Sequence, residues 1–383
     1  MNNATPTEEY NFNQFDAYGG QTLWFPVIAL ISFGLLFVYS ASSVYAAQKY
    51  DDEFLFAKKQ ILFLLPGALA AFVGAKFPIE KLQKWSLYLF LASLALTSLT
   101  LAPVVGKRIL GAARWVTFMG FQLQPSEFLK ITSILFFAGS LTKPKFRWTS
   151  LLPLLLAFGV LLKQPDFGTT VILFVGMASV LFFYGIPKRY FFGGLALLIP
   201  VMGALAIAAP YRLKRLVAFL DPFSDPLGSG FQVIQSFVAI ASGGLFGKGL
   251  GGSQQKLFFL PEAHTDFILS VIGEEMGFIG LLIIFLIYGI LFYSILQVLI
   301  AVHEPFQRMV TAGLLTMLAA STLVNMGVCA GLLPTKGLTL PFISSGGSSL
   351  VANLFSIGIL AQIHAKAYIR QIGGLASHVQ GNR

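Results

Sequence analysis

Read for the alternation of apolar and polar positions, the chain is a series of long apolar runs separated by short polar breaks. A membrane span takes about 20 apolar residues, fewer where a helix is enclosed by others. On that measure ten spans are expected: Trp24–Tyr45, Gln60–Ala75, Trp85–Pro103, Phe128–Leu141, Trp148–Leu162, Thr169–Gly185, Tyr190–Ala209, Phe267–Ile300, Val310–Leu332 and Leu350–Ala367. An even number puts both termini on one side. The longest connection, residues 210–265, holds Gly-rich and Pro-rich pieces around an apolar segment, "FQVIQSFVAIAS", interrupted on one side by Gln232, Gln235 and Ser236. That segment is too short to span, so it is expected to lie in the interface or re-enter as a half-helix. The fold class expected is all-α: a polytopic integral membrane protein with one domain over residues 23–371. A polar, disordered tail is expected at 1–22 and a short tail at 372–383.

Composition agrees with this. Of 383 residues, 56% are hydrophobic and 11% charged, against roughly 25% charged in soluble domains. The first 22 residues carry Glu8, Glu9 and Asp16 and no Lys or Arg, so they lack the basic start of a signal peptide. The single Cys329 excludes an intrachain disulfide framework or a thiolate metal cluster. The net charge of +10 points to anionic headgroups or an anionic lipid substrate, and not to nucleic acid, because no soluble basic face exists to lie on a duplex.

The positive-inside count decides nothing, with twelve Lys and Arg on the side of the termini and fourteen on the other. The acids are more skewed. Eleven of sixteen fall opposite the termini, among them Asp166, Glu262, Asp266, Glu274 and Glu275. A face that gathers both signs is where chemistry is expected.

Four constellations lie there. In "GAARW", residues 111–115, Arg114 is either part of a basic loop anchored by Trp115 or a bidentate grip on phosphate oxygens. In "QPSEFLK", residues 124–130, Pro125 can open a helix that puts Glu127 and Lys130 on one face, as an interfacial pair or facing a cavity. In "KQPDFGT", residues 163–169, Asp166 can cap the next helix, hold a cation or orient Lys163. The fourth, "PEAHTDFILSVIGEE", residues 261–275, crowds five titratable groups onto the mouth of a greasy helix, although an Asp at a span centre costs about 2.5–3.5 kcal/mol. Thr265 or Asp266 can cap that helix, but a cap leaves the other acids unexplained. Glu274, about 12 Å deeper than Asp266, is placed to pair with a cation from a neighbouring helix.

Two Gly-rich stretches complete the inventory. "GGLFGKGLGGS", residues 243–253, is not a phosphate loop, since Gly249 and not Ser or Thr follows Lys248. It can still offer amides and Lys248 to an anion. "LPTKGLTLPFISSGGSS", residues 333–349, is shaped loop carrying Lys336.

These motifs, in this order and spacing, resemble the SEDS family, the bacterial shape, elongation, division and sporulation proteins. The similarity runs from about Trp24 to Arg370 and favours the division branch over the elongation branch. One departure is Ser345, where the family usually has Tyr. The resemblance implies a ten-helix glycosyltransferase of the bacterial inner membrane with both termini cytoplasmic and a large outer loop between its seventh and eighth helices. It implies polymerisation of lipid II into glycan strands beside a class B penicillin-binding protein, at the septum among other divisome membrane proteins. The family's essential Asp falls on Asp266, and its loop Arg and fourth-helix charges on Arg114, Glu127 and Lys130. The candidate substrate-binding set is Arg114, Gln124, Glu127, Lys130, Asp166, Lys248, His264, Thr265, Lys336 and Ser348.

Chemically, Asp266 would act as general base on an acceptor hydroxyl while Arg114, Lys130 and either Lys248 or Lys336 neutralise the leaving pyrophosphate. A divalent cation, Mg or Mn, bridging the pyrophosphate to Asp166 or Asp266 is an open alternative that two scattered carboxylates do not establish. So is lipid transport, which would place charges through the midplane and break helices in repeated halves.

Overall fold

The computed structural model describes residues 19–102, 106–109, 112–118, 121–145, 148–207, 210–257 and 259–381. The expected tail at 1–22 therefore lies almost wholly outside the described residues. Each of the ten expected spans is a helix: α1 (Gly19–Tyr50), α2 (Leu55–Lys76), α3 (Ile79–Leu99), α4 (Pro125–Leu141), α5 (Leu151–Lys163), α6 (Phe167–Tyr184), α7 (Lys188–Ile207), α10 (Ile268–Ala301), α11 (Pro305–Cys329) and α12 (Gly347–Gly381). Two more, α8 (Pro210–Leu220) and α9 (Phe231–Gly243), fall in the long connection, and α9 is the expected short half-helix. Six of the described helices, α1, α2, α6, α10, α11 and α12, are long and apolar enough to cross a bilayer. The chain is a predominantly helical polytopic membrane protein of the all-α class. The helix expected to stop at Ala367 continues as backbone to Gly381.

Helix α4 is the centre, with almost every residue from Pro125 to Leu141 buried. Its neighbours α3, α6, α11 and α12 shield it from lipid, which is why a span of only 17 residues suffices. Helices α2 and α12 approach through small residues. A Cβ on Gly74 would stand 2.7 Å from Phe355 O and one on Gly358 2.2 Å from Ala71 O, so the backbones meet as in small-residue membrane interfaces.

Two features depart from expectation. Residues 106–123 form a three-stranded antiparallel meander, β1 (Gly106–Ile109), β2 (Ala112–Phe118) and β3 (Phe121–Leu123), where a basic loop was expected. Lys107 pairs with Trp115 but Arg108 with Ala113, which leaves Arg114 as the extra residue of a β-bulge. A bulge bends its strand and re-aims the unpaired side chain. The second is in α10, which is not one continuous helix: Gly277 adopts φ 66° and ψ −163°.

Candidate functional site

The turn before α10 is built on Glu262, whose left-handed φ of 56° lets its carbonyl accept from Thr265 N at 3.1 Å and Phe267 N at 3.3 Å. Phe267 is the N-cap of α10, with no side-chain capping bond. Asp266 and Thr265 are therefore not caps. Thr265 Oγ1 instead donates to Glu262 Oε2 at 2.8 Å.

Helix α11 and the loop that follows it hold this turn by its backbone carbonyls. Asn325 Nδ2 donates to Asp266 O at 2.9 Å and to Leu338 O at 2.7 Å. Ser344 Oγ donates to Thr265 O at 2.6 Å, and Ser345 N to His264 O at 3.0 Å. His264 packs against the rings of Phe56, 4.3 Å away between centroids, and Tyr45, at 6.0 Å. Burial holds its pKa below the usual imidazole range. Its observed contacts are those of a packing residue.

The Asp266 side chain is left free to face cations. A Cβ added at Gly337 would lie 3.5 Å from Asp266 Oδ2 and 3.7 Å from Arg114 Nη1, so carboxylate and guanidinium stand no more than about 7 Å apart across an open gap. The residue is half-buried, and its carboxyl is enclosed closely enough that desolvation raises its pKa to about 7. Glu262 adds to the rise, while Arg215 and Arg114 oppose it.

Arg114 reaches here from its bulge and is anchored at the α5–α6 corner. It donates from Nε to Gln164 O at 3.4 Å and from Nη2 to Pro165 O, and Nη1 stands 3.8 Å from Asp166 Oδ1. Asp166 is the N-cap of α6, accepting from Thr169 N at 3.2 Å and Thr169 Oγ1 at 2.9 Å. Its partner is Arg114, not Lys163, and at 2% exposure the carboxylate is closed to a substrate-bound cation in this structure. Among the described residues no group of three or more His, Cys, Asp or Glu could hold a metal.

Three more cations complete this face. The Lys336 ammonium lies 5.2 Å over the Phe167 ring and the Arg212 guanidinium 5.0 Å over the same ring. Burial lowers the pKa of Lys336. Arg215 Nη1 donates to Thr335 O at 3.2 Å. Arg212 and Arg215 were not candidates from sequence. Their signal was available in α8, "PYRLKRLVAFL", where Leu213, Leu216, Val217 and Leu220 form an apolar stripe at helical spacing and the cations fall beside it.

A second cluster opens α4. Gln124 N donates to Ser348 Oγ at 2.9 Å, joining the meander to the start of α12. Lys130 and Glu127 pair at 3.0 Å, both buried, and line a cavity with Met317, Ser321, Asn353 and Ser356.

Lys248 corrects the expected clamp. Its ammonium is held by Glu274 at 2.7 Å, and the cation that Glu274 finds comes from the Gly-rich loop and not from a neighbouring helix. A buried carboxylate stabilises its counter-ion in place, so Lys248 is not available to an anion beside Asp266.

The family model described as "Cell cycle protein", covering FtsW, RodA and SpoVE, matches residues 21–369. The chain is 44% identical over 356 residues to a probable peptidoglycan glycosyltransferase FtsW of Trichlorobacter lovleyi, covering 91% of this chain and 93% of that one. It is 40% identical over 346 residues to stage V sporulation protein E of Bacillus subtilis, covering 88% and 94%. The solved rod shape determining protein RodA of Thermus thermophilus superposes with a TM-score of 0.67 at 30% identity, over 94% of this chain and 99% of that one. A chain of a peptidoglycan synthase complex, solved for the coordination of polymerization and crosslinking, gives 0.72 at 34%, over 90% and 97%.

Proposed function

The chain belongs to the cell cycle protein family of FtsW, RodA and SpoVE, and from that membership we propose that it is a peptidoglycan glycosyltransferase that polymerises lipid II. The observation that carries the reading is Asp266 across an open gap from Arg114, with Lys336, Arg212 and Arg215 on the same face. The acceptor hydroxyl attacks the anomeric carbon of the donor. The bond from that carbon to the diphosphate oxygen breaks, and the hydroxyl proton passes to Asp266. A carboxylate with a pKa near 7 is a stronger base than an ordinary Asp and is still ionised in useful fraction at neutral pH. Negative charge growing on the lipid diphosphate meets cations already in place, so little reorganisation is needed. Displacement in one step inverts the anomeric centre, turning an α-linked donor into a β-linked strand. No step is routed through a metal.

Asp166 serves by fixing Arg114. Glu127, Lys130, Gln124 and Ser348 form the floor of the site, and the cavity that Glu127 and Lys130 line beside α4 is only about the size of one water. We assign both termini to the cytoplasm and this face to the outside, with action at the septum beside a class B penicillin-binding protein and other divisome proteins. Relatives named FtsW, the branch that the sequence resemblance associates with division, favour that site over the sidewall.

Transport is the competing class. The one break in α10 is filled by protein backbone and does not line an open path, which favours polymerisation. The test is a proteoliposome assay that measures lipid II translocation and glycan polymer separately, with the transpeptidase present. Polymer formation that falls below about a tenth in Asp266→Asn, with folding intact, supports the reading. Translocation without polymer, or polymer retained in that variant, overturns it.

A further inference from the structure

The Gly-rich stretch 243–253 has no place in the chemistry above, and neither do Glu274 and Glu275. The structure brings them together. At Gly277 the helical bonding of α10 stops, which strips two carbonyls and two amides of their partners inside a membrane domain, where water cannot replace them. The loop supplies all four. Lys248 N donates to Glu274 O at 2.9 Å and Gly249 N to Glu275 O at 3.0 Å, while Phe278 N donates to Gly244 O at 2.9 Å and Ile279 N to Leu245 O at 3.2 Å. Only glycine suits Gly277, since a Cβ there would stand 2.4 Å from Gly247 N at a positive φ.

The two carboxylates lock the same junction. Glu274 takes Lys248 Nζ at 2.7 Å, Ser253 Oγ at 2.5 Å and the amides of Gln254 and Gln255 at 3.1 and 3.2 Å. Glu275 takes Ser40 Oγ from α1 at 2.7 Å and Lys256 Nζ at 3.2 Å. Helix α9 closes the other side, with Ser236 Oγ 2.6 Å from Ser270 Oγ. The segment Ile268–Met276 is thus a short helix of its own, clamped at its deep end and carrying Asp266 just before its outer end.

We propose that Glu274 and Lys248, with Glu275 and Lys256, are positioning residues: their clasp sets the depth and rotation of residues 268–276 and so the place of the Asp266 carboxylate. This rests on the general-base role of Asp266 given above.

The test compares Lys248→Met, Glu274→Gln and the neutral pair Lys248→Met with Glu274→Gln in the full chain. It reads kcat and KM for lipid II polymerisation and amide hydrogen exchange over residues 264–276, with Asp266→Asn run alongside. Lys248→Met leaves a buried carboxylate without its counter-ion, and the neutral pair removes that charge while keeping one acceptor oxygen for the amides of Gln254 and Gln255, which bond separate oxygens in the wild type, so it is the variant that guards against simple misfolding. The expected result for Lys248→Met is exchange about tenfold faster and kcat about 100-fold lower, since a displacement of about 1 Å can cost that much. KM should stay within about threefold, and the neutral pair should recover both readouts to within about fivefold of wild type. Faster exchange with kcat unchanged overturns the positioning role, as does lost kcat with exchange unchanged. If Asp266→Asn stays active, the general-base reading fails by itself, and unchanged exchange in Lys248→Met would still be needed to discard the clasp.

Discussion

Gly337 gives the sharpest structural prediction. Its Cα borders the gap between Asp266 and Arg114, and an added methyl carbon would sit 3.5 Å from one and 3.7 Å from the other. A bridging substrate oxygen would sit about 3 Å from each, so the methyl of Gly337→Ala and the reacting group claim the same space. The backbone there does not need glycine, because no positive φ is recorded for it and both contacts are ordinary van der Waals distances. The variant should therefore fold, and gain about 0.4–1 kcal/mol from a less flexible unfolded chain. Its catalytic loss should match the removal of a positioned group from a charge-stabilising site, about 2.7–4 kcal/mol or 100- to 1,000-fold. Polymer yield from labelled lipid II measures the loss and thermal unfolding measures the fold. A Gly337→Ala enzyme within about threefold of wild-type kcat/KM would show that the reaction does not take place in that gap.

Other predictions follow from charge. Glu262 raises the pKa of Asp266 and Arg215 lowers it, so Glu262→Gln should move the acid limb of the activity profile to lower pH and Arg215→Met to higher pH; shifts in the opposite senses would contradict the electrostatics. Because the folded pKa of Asp266, about 7, lies above its ordinary 3.8, ionisation costs the folded state as pH rises from about 4 through about 7. Asp266→Asn should accordingly be more heat-stable than wild type at pH 8, with the gap narrowing toward pH 4 in thermal melts. Arg114→Lys keeps the charge but loses the fork that reaches Gln164 O, Pro165 O and Asp166 together, and should lower kcat/KM at least about tenfold in the polymer assay.

The helices were legible because a bilayer demands long apolar runs, and the order of polar motifs gave the family. The crowding of acids in 261–275 was legible as a site, but it divides into unlike parts. Asp266 faces the cations, His264 packs on Phe56 and Tyr45, Glu262 shapes the turn, and Glu274 and Glu275 hold a helix break. What sequence did not show depends on partners distant along the chain. The break at Gly277 has no local marker in an apolar run, because the groups that repair it lie about thirty residues earlier. The meander escaped notice since two of its strands are only three and four residues long, and the bulge that aims Arg114 is a property of pairing and not of composition. Lys248 read as an anion ligand for the same reason: spacing cannot reveal that Glu274 already holds it.

The central claim is that an ionised Asp266 removes the acceptor proton, and the dependence of kcat/KM on pH tests it most directly. At lipid II concentrations well below KM, wild-type enzyme should show a kcat/KM that rises about tenfold per pH unit below a midpoint near 7, set by the Asp266 carboxyl, and levels above it. Asp266→Asn should lose that limb along with nearly all of the rate. A wild-type profile flat from pH 5 to 8, or an acid limb that survives in Asp266→Asn, would contradict the account.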